Sequence, residues 1–197
     1  MDSPSCDSAF MSIGKDVTVY PMARILGKEH ISIGDSVIVD DFVFMYATDR
    51  ISIGSFVHIA AFTCIAGGGT LTLEDFVGVS GGTHIYTGDD DYLGGCLTGP
   101  AVPAPFRVAT RSFVHIRKHA IIGANSVILP GVTIGEGAAI GAGAVVTRDI
   151  EPWTINVGSP CKPIKARPKE RILAFEARLR SELYSSGLYI PKTERSA

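Results

Sequence analysis

Aliphatic and polar residues alternate along this chain at a fixed interval. Met11-Ser12-Ile13-Gly14, Ile31-Ser32-Ile33-Gly34, Ile51-Ser52-Ile53-Gly54 and Leu71-Thr72-Leu73-Glu74 recur every twenty residues, each with Val at the third place beyond. From Ile116 the interval shortens. Ile116, Ile122, Ile128, Ile134, Ile140 and Val146 fall every six residues, and Ala120, Ser126, Val132, Ala138 and Ala144 follow the first five of them by four places. The same offset joins Ile13 to Val17, Ile33 to Val37, Ile53 to Val57 and Leu73 to Val77.

One six-residue unit, with an inward aliphatic residue and a small residue at the next corner, makes one flat side. Three units close a triangle of about eighteen residues, and the twenty-residue repeats add two, such as Ile31-Ser32. Stacked triangles pair as parallel strands about 4.8 Å apart, so six or seven coils predict a prism on the order of 30 Å long.

The register fails once. Leu71 and Val114 occupy equivalent places, yet about 23 residues more than one coil separate them. The excess, at about 87–111, contains Asp89-Asp90-Asp91, Gly94-Gly95, Gly99-Pro100, Pro103 and Pro105, which is turn chemistry, and it predicts an ordered loop projecting from the scaffold. Past Pro152 the prolines end the repeat. Ile172, Phe175, Leu179 and Leu183 then recur at spacings of three and four, predicting an amphipathic helix from about Lys169 with Pro168 at its start. The expected organisation is a β-helix domain over 1–166 and a helix and tail over 167–197, the helix covering the prism's end or a neighbouring subunit.

Composition narrows function. A net charge of −2 and a pI near 6.2 give no basic surface for nucleic acid or anionic membranes. No apolar run reaches membrane-spanning length and no export signal is visible, so a cytoplasmic protein without a membrane span is expected. Cys6, Cys64, Cys96 and Cys161 lack paired spacing and are expected to be reduced thiols. Gly67-Gly68-Gly69 lacks the lysine of a phosphate loop and reads as a coil corner.

Five histidines offer general-base chemistry. His84 precedes inward-facing Ile85, so it points outward where the insertion departs, with Cys64 one coil beneath and Thr83, Tyr86 and Thr87 beside it. It is the leading candidate base. Asp89, Asp90 and Asp91 either orient it, contact a substrate amine, or form a solvated turn. His119 falls in an exposed ladder with Ser36, Phe56 and Phe76, His58 aligns with Gly78 without an evident partner, and Asp40 and Asp41 interrupt a small-residue ladder.

The repeats at about 11–160 resemble the hexapeptide-repeat family, whose fold is a left-handed parallel β-helix. Within it, Gly123-Ala124-Asn125-Ser126-Val127-Ile128-Leu129-Pro130-Gly131, Gly141-Ala142-Gly143-Ala144-Val145-Val146-Thr147-Arg148 and Gly158-Ser159-Pro160-Cys161-Lys162 resemble the closing coils of acetyl-CoA-dependent sugar acetyltransferases. The resemblance implies that Ala124 and Ala142 receive the pantetheine arm, and that Thr147, Arg148, Lys162 and Lys165 lie near the nucleotide end of acetyl-CoA. It also implies a homotrimer with sites between prisms.

One departure is informative. Ile85-Tyr86-Thr87, threaded on the galactoside and maltose acetyltransferase strand, puts Asp90 where that family carries its histidine. An amine acceptor tolerates a missing strong base better than a hydroxyl does. The departure and the acidic, proline-rich insertion resemble acyltransferases of O-antigen sugar pathways, including those acting on dTDP-linked 4-amino-deoxysugars. The expected function is therefore N-acetylation of a nucleotide-linked amino-deoxysugar, with His84 and Asp90 catalytic and Tyr86, Asp89 and Asp91 binding the acceptor. Sugar O-acetylation is the alternative. More distant ones are a zinc-dependent carbonic anhydrase using His115 or His119, and a silent assembly platform; no metal is expected.

Overall fold

A computed structural model describes residues 9–185 and 187–194, so Cys6 lies outside the described residues. Short parallel strands form three faces of a prism. The first face stacks Ser12–Ile13, Ile31–Ile33, Ile51–Ile53, Thr70–Leu73, Phe113–Ile116 and Val132–Ile134. The second begins at Thr18–Val19 and runs through Ala139–Ile140 to Thr154–Val157, where Lys162–Ala166 folds back antiparallel and closes the end of the stack. The third carries Arg24–Leu26, Phe44–Tyr46, Cys64–Ala66, His84–Tyr86, Val127–Ile128 and Val145–Val146.

Register follows the repeat. Ile31 pairs with Ile51, Leu71 with Val114, and Val114 with Val132. The predicted inward positions fill the interior: Ile59, Ile85, Ile116, Ile122, Ile128 and Ile134 are fully buried, as are Ser126, Ala138 and Ala144 at the corners. Each such aliphatic side chain contributes roughly 1.5–3 kcal/mol relative to exposure. Ser126 Oγ donates to the Gly123 and Gly141 carbonyls, so this small polar residue suits a dry corner as well as alanine.

The chain turns its corners through left-handed backbone. Between the first and second faces, Asp16, Ser36, Phe56, Phe76, His119 and Trp153 all have φ between 54° and 62°. Bulky residues rarely adopt this conformation, so neighbouring contacts must hold it. Phe56 and Phe76 stack at 4.9 Å, and Phe76 and His119 at 5.0 Å. Gly137 shares the column because a Cβ there would sit 2.3 Å from the Trp153 ring.

The C-terminal segment lies along this first corner of its own prism, not over the prism's end as the sequence suggested. Arg167 Nη1 donates to the His119 and Gly137 carbonyls at 2.9 Å each. The helix Glu170–Leu183 then descends the stack. Ile172, Leu179 and Leu183 are half-buried while Phe175 is 57% exposed, so the expected apolar stripe is incomplete. Polar residues do more of the anchoring. Glu176 accepts from Lys118 Nζ, His119 Nε2 and Arg180 Nε at 2.6, 2.7 and 2.6 Å, and Arg180 reaches Asp75 at 2.9 Å. Tyr189 packs against Phe56 and donates to Asp16 at 2.9 Å. His119, read from sequence as part of an exposed ladder, is consequently buried at 7% exposure.

Candidate active site

The third corner, between the third and first faces, is where the twenty-residue coils place their two extra residues, and these precede Ile31-Ser32, which the structure keeps in a first-face strand instead of the extension that the sequence suggested. There the chain bulges outward through Gly27–His30, Ala47–Arg50 and Gly67–Gly69. The insertion leaves from the next coil. Its base is an antiparallel hairpin, Gly88–Asp90 with Ala109–Arg111, and the Ser112 amide donates to the Thr87 carbonyl at 2.8 Å. The loop is thus closed at its root by a short strand pair, which its turn-rich composition concealed.

Gly67-Gly68-Gly69 is the seat for that root. A Cβ on Gly67 would lie 2.4 Å from the Gly88 amide, and one on Gly69 only 1.9 Å from the Ser112 carbonyl oxygen. Gly67 and Gly68 also have φ of +116° and +76°, which side chains resist. The triplet is more than a corner: its missing side chains let the insertion lie directly on the prism.

Bulge and hairpin together enclose a cleft of about 800 Å³. Tyr46, Ala66 and Tyr86 line its floor, Thr48 and Gly68 its corner, and Asp89, Asp90, Arg107 and Arg111 its outer wall. Cross-strand pairing puts Gly88 with Arg111 and Asp90 with Ala109, so Asp90 and Arg111 project on one side of the hairpin. Asp90 Oδ2 also accepts the Gly99 amide at 3.1 Å, tying the loop tip to the stem.

The three sequence-selected aspartates separate. Asp89 and Asp90 line the cleft. Asp91 instead accepts backbone amides of Leu93, Gly95 and Cys96, bonds that hold its carboxyl below the usual range and spend it on the loop's own turn. His84 lies outside the cleft lining, but its Nδ1 is 3.3 Å from the hydroxyl of Tyr86, which is inside it. Burial pushes the Tyr86 phenol up, reinforced by the neighbouring Cys64 and Tyr92. On its other side His84 pairs with Val127, in the coil that begins at Ala124. His84 therefore stands between the cleft and the second corner.

That second corner carries the residues assigned to the coenzyme arm. Ala124 and Ala142 stack there, with the Gly143 amide donating to the Ala124 carbonyl at 2.8 Å. A Cβ on Gly123 would lie 2.5 Å from the Ala142 amide. Farther along, Arg148 and Lys162 line a hollow of about 640 Å³ near the end of the prism, together with Asp149, Asn156 and Cys161. Thr147 and Lys165 are exposed outside its lining.

Other candidates have local partners. His58 Nε2 lies 3.0 Å from Asp40 Oδ2, and Asp41 accepts the Met22 amide, so the partner that sequence did not supply for His58 is Asp40. His115 pairs with Glu74 at 2.6 Å, whereas His119 faces Glu176. The two histidines address different carboxylates, and among the described residues no group of three or more potential ligands gathers.

Comparison with known proteins agrees with this geometry. The family "Bacterial transferase hexapeptide (six repeats)" matches residues 113–148. AntD, an N-acyltransferase from Bacillus cereus solved with dTDP and 3-hydroxybutyryl-CoA, is 38% identical with a TM-score of 0.82, covering 88% of this chain and 92% of AntD. The chain belongs to the hexapeptide-repeat acyltransferases. An AntD variant solved with dTDP-4-amino-4,6-dideoxyglucose and coenzyme A gives the same identity and TM-score. The dTDP-4-amino-4,6-dideoxy-D-glucose acyltransferase of Escherichia coli is 42% identical over 99 residues, 50% of this chain. The match to this curated relative spans about half its length. This hexapeptide-repeat acyltransferase carries an acidic, arginine-bearing hairpin on its third corner.

Proposed function

We propose that this protein transfers an acetyl group from acetyl-CoA to the amino group of a nucleotide-linked amino-deoxysugar. The observation that carries the reading is the cleft itself: Asp90 and Tyr86 line one space, and the Tyr86 hydroxyl lies 3.3 Å from His84 Nδ1, on the strand next to the one that follows Ala124. The relatives bound to dTDP, to a dTDP-amino sugar and to coenzyme A support this pairing of substrates.

In this reading Asp90 and Asp89 receive the acceptor amine, and Asp90 holds its hydrogens while the lone pair points at the thioester carbonyl. His84 takes the amine proton as the C–N bond forms, directly or through the Tyr86 hydroxyl, and returns it to the sulfur as the C–S bond breaks, so coenzyme A departs as the thiol. Ala124 and Ala142 present backbone groups to the pantetheine arm. Thr147, Arg148, Lys162 and Lys165 serve its nucleotide end, cations suiting phosphates. Asp91 contributes by shaping the loop.

The product would supply surface polysaccharide such as O-antigen, in the cytoplasm. Among the described residues no helix is long and apolar enough to cross a membrane. A homotrimer is part of the same proposal. Phe42 and Phe62 stack at 5.1 Å on the second corner while 47% and 65% exposed, an apolar ridge suited to a neighbouring prism.

A panel assay decides the reaction. Free-thiol release is followed with acetyl-CoA and 3-hydroxybutyryl-CoA against dTDP-linked amino sugars, free amino sugars and neutral sugars. Turnover confined to amine acceptors is expected. Turnover only on neutral sugars assigns O-acylation instead.

A further inference from the structure

The outer wall of the cleft holds two arginines that the acyl-transfer chemistry does not use. Arg111 is exposed and makes no side-chain hydrogen bond or ion pair among the described residues. Its guanidinium lies over Gly68: the position a Cβ would take there is 3.3 Å from Arg111 Nε and 3.5 Å from Cζ. Arg107 is half-buried and donates Nε to the Val102 carbonyl at 2.8 Å, which fixes the side chain and leaves the terminal nitrogens available.

Their placement is ordered. Arg111 and Ala109 project to the same side of the hairpin strand, and Arg107, in extended backbone two residues before that strand, lines the same cleft. Asp90 projects on that side across from Ala109. The wall therefore offers positive charge at two points and negative charge beside them. A uniformly anionic or uniformly cationic ligand would meet repulsion from one set. A ligand that is itself both, an ammonium at one end and a diphosphate at the other, matches both sets.

We infer that Arg107 and Arg111 form the seat for the diphosphate of the acceptor's nucleotide carrier, so that the hairpin reads the carrier and the amine together. This rests on the acceptor proposed above. Guanidinium groups suit the task because their planar donors take phosphate oxygens in pairs. Gly68 belongs to the seat, since a Cβ there would crowd Thr48 Oγ1 at 2.8 Å and Arg111 Nε at 3.3 Å, at a φ of +76° that side chains resist.

Calorimetric titration of the full chain with thymidine, dTMP, dTDP and inorganic pyrophosphate tests the seat in wild type, Arg111→Gln, Arg111→Lys and Arg107→Gln. Each Gln variant is expected to lose roughly tenfold or more in dTDP affinity while thymidine affinity stays unchanged. Arg111→Lys should recover part of the loss, because it restores charge without the paired donors. Equal dTDP affinity in wild type and both Gln variants overturns the seat. So does a parallel loss of thymidine and dTDP, which marks a general distortion. Arginine-dependent pyrophosphate binding without any dTDP binding would uphold the seat and remove the nucleotide-sugar reading.

Discussion

The first and third corners of this prism are built from the same repeat and treated in opposite ways. The first is a column of left-handed aromatic residues strapped by the C-terminal segment from Arg167 to Tyr189. The third is glycine-rich, bulged by two residues in each early coil, and among the described residues strapped by the root of the insertion. Stability is concentrated on one edge and an accessible cleft on the other. A solenoid permits this division because each coil contacts mainly its neighbours, so one edge can be fastened without closing the next.

Substitutions can break that contrast, beginning on the open side. His84→Ala is expected to lower acyl transfer by roughly 10²-fold or more with an unchanged melting temperature. Steady-state rates with acetyl-CoA check it, and wild-type turnover would remove His84 from the mechanism. Gly69→Ala should cost about 1–3 kcal/mol, because its Cβ meets backbone oxygen of both Ser112 and Thr87. Urea unfolding measures that cost. Activity should fall beyond the loss of folded protein if the hairpin root is displaced from its seat.

The clasped corner predicts effects on stability without effects on turnover. Burial alone would raise the Glu176 pKa, but hydrogen bonds from Lys118, Arg180 and His119 outweigh it and hold the group at about 2. A depressed carboxylate stabilises the fold fully above its unfolded pKa of 4.5 and loses that contribution as pH falls toward 2. Glu176→Gln should therefore cost about 1–3 kcal/mol near neutrality, and its deficit relative to wild type should shrink between pH 4.5 and 2. A pH-independent deficit in urea midpoints would contradict the assigned charge network. Tyr189→Phe, which removes the hydroxyl's bond to Asp16, should cost about 0.5–1.5 kcal/mol in the same assay.

Much of this architecture was legible in the sequence because repetition amplifies weak signals. Each aliphatic residue predicts little by itself, but Ile116 through Val146 in unbroken sixes fix three faces and the inward side of each. The insertion was equally legible, as a failure of period. Its root was not, since Gly88–Asp90 and Ala109–Arg111 are short, polar and stabilised by a partner about twenty residues away. The clasp was half legible. Helical spacing located Glu170–Leu183, but apolar periodicity pointed to a face, whereas the anchors are Glu176 and Arg180 reaching residues far away in sequence.

The site divides along the same physical line. Asp89 and Tyr86 stand out by their nearness to the break in the repeat and Asp90 also by the family resemblance, and all three line the cleft. Asp91 carries the same side chain one residue later, yet backbone amides take it up, a distinction set by loop geometry alone. Arg107 and Arg111 carry no motif in the sequence, where they are isolated arginines in a turn-rich insertion. What unites them is the fold: Arg111 shares a side with Asp90 across the hairpin, and Arg107 joins them in the cleft lining.

The two extra residues in each early coil have a further consequence. The bulges 27–30, 47–50 and 67–69 come from three successive coils, and Glu29, His30, Ala47, Thr48, Gly67 and Gly68 from them line the cleft's corner. Its depth is accordingly quantised, each rung adding about 4.8 Å, the spacing between paired strands. Duplicating or deleting one twenty-residue unit would lengthen or shorten the pocket by a fixed step while leaving the catalytic coil and the coenzyme corner in register. In this molecule the repeat is a ruler, and the size of ligand it admits is counted in whole turns.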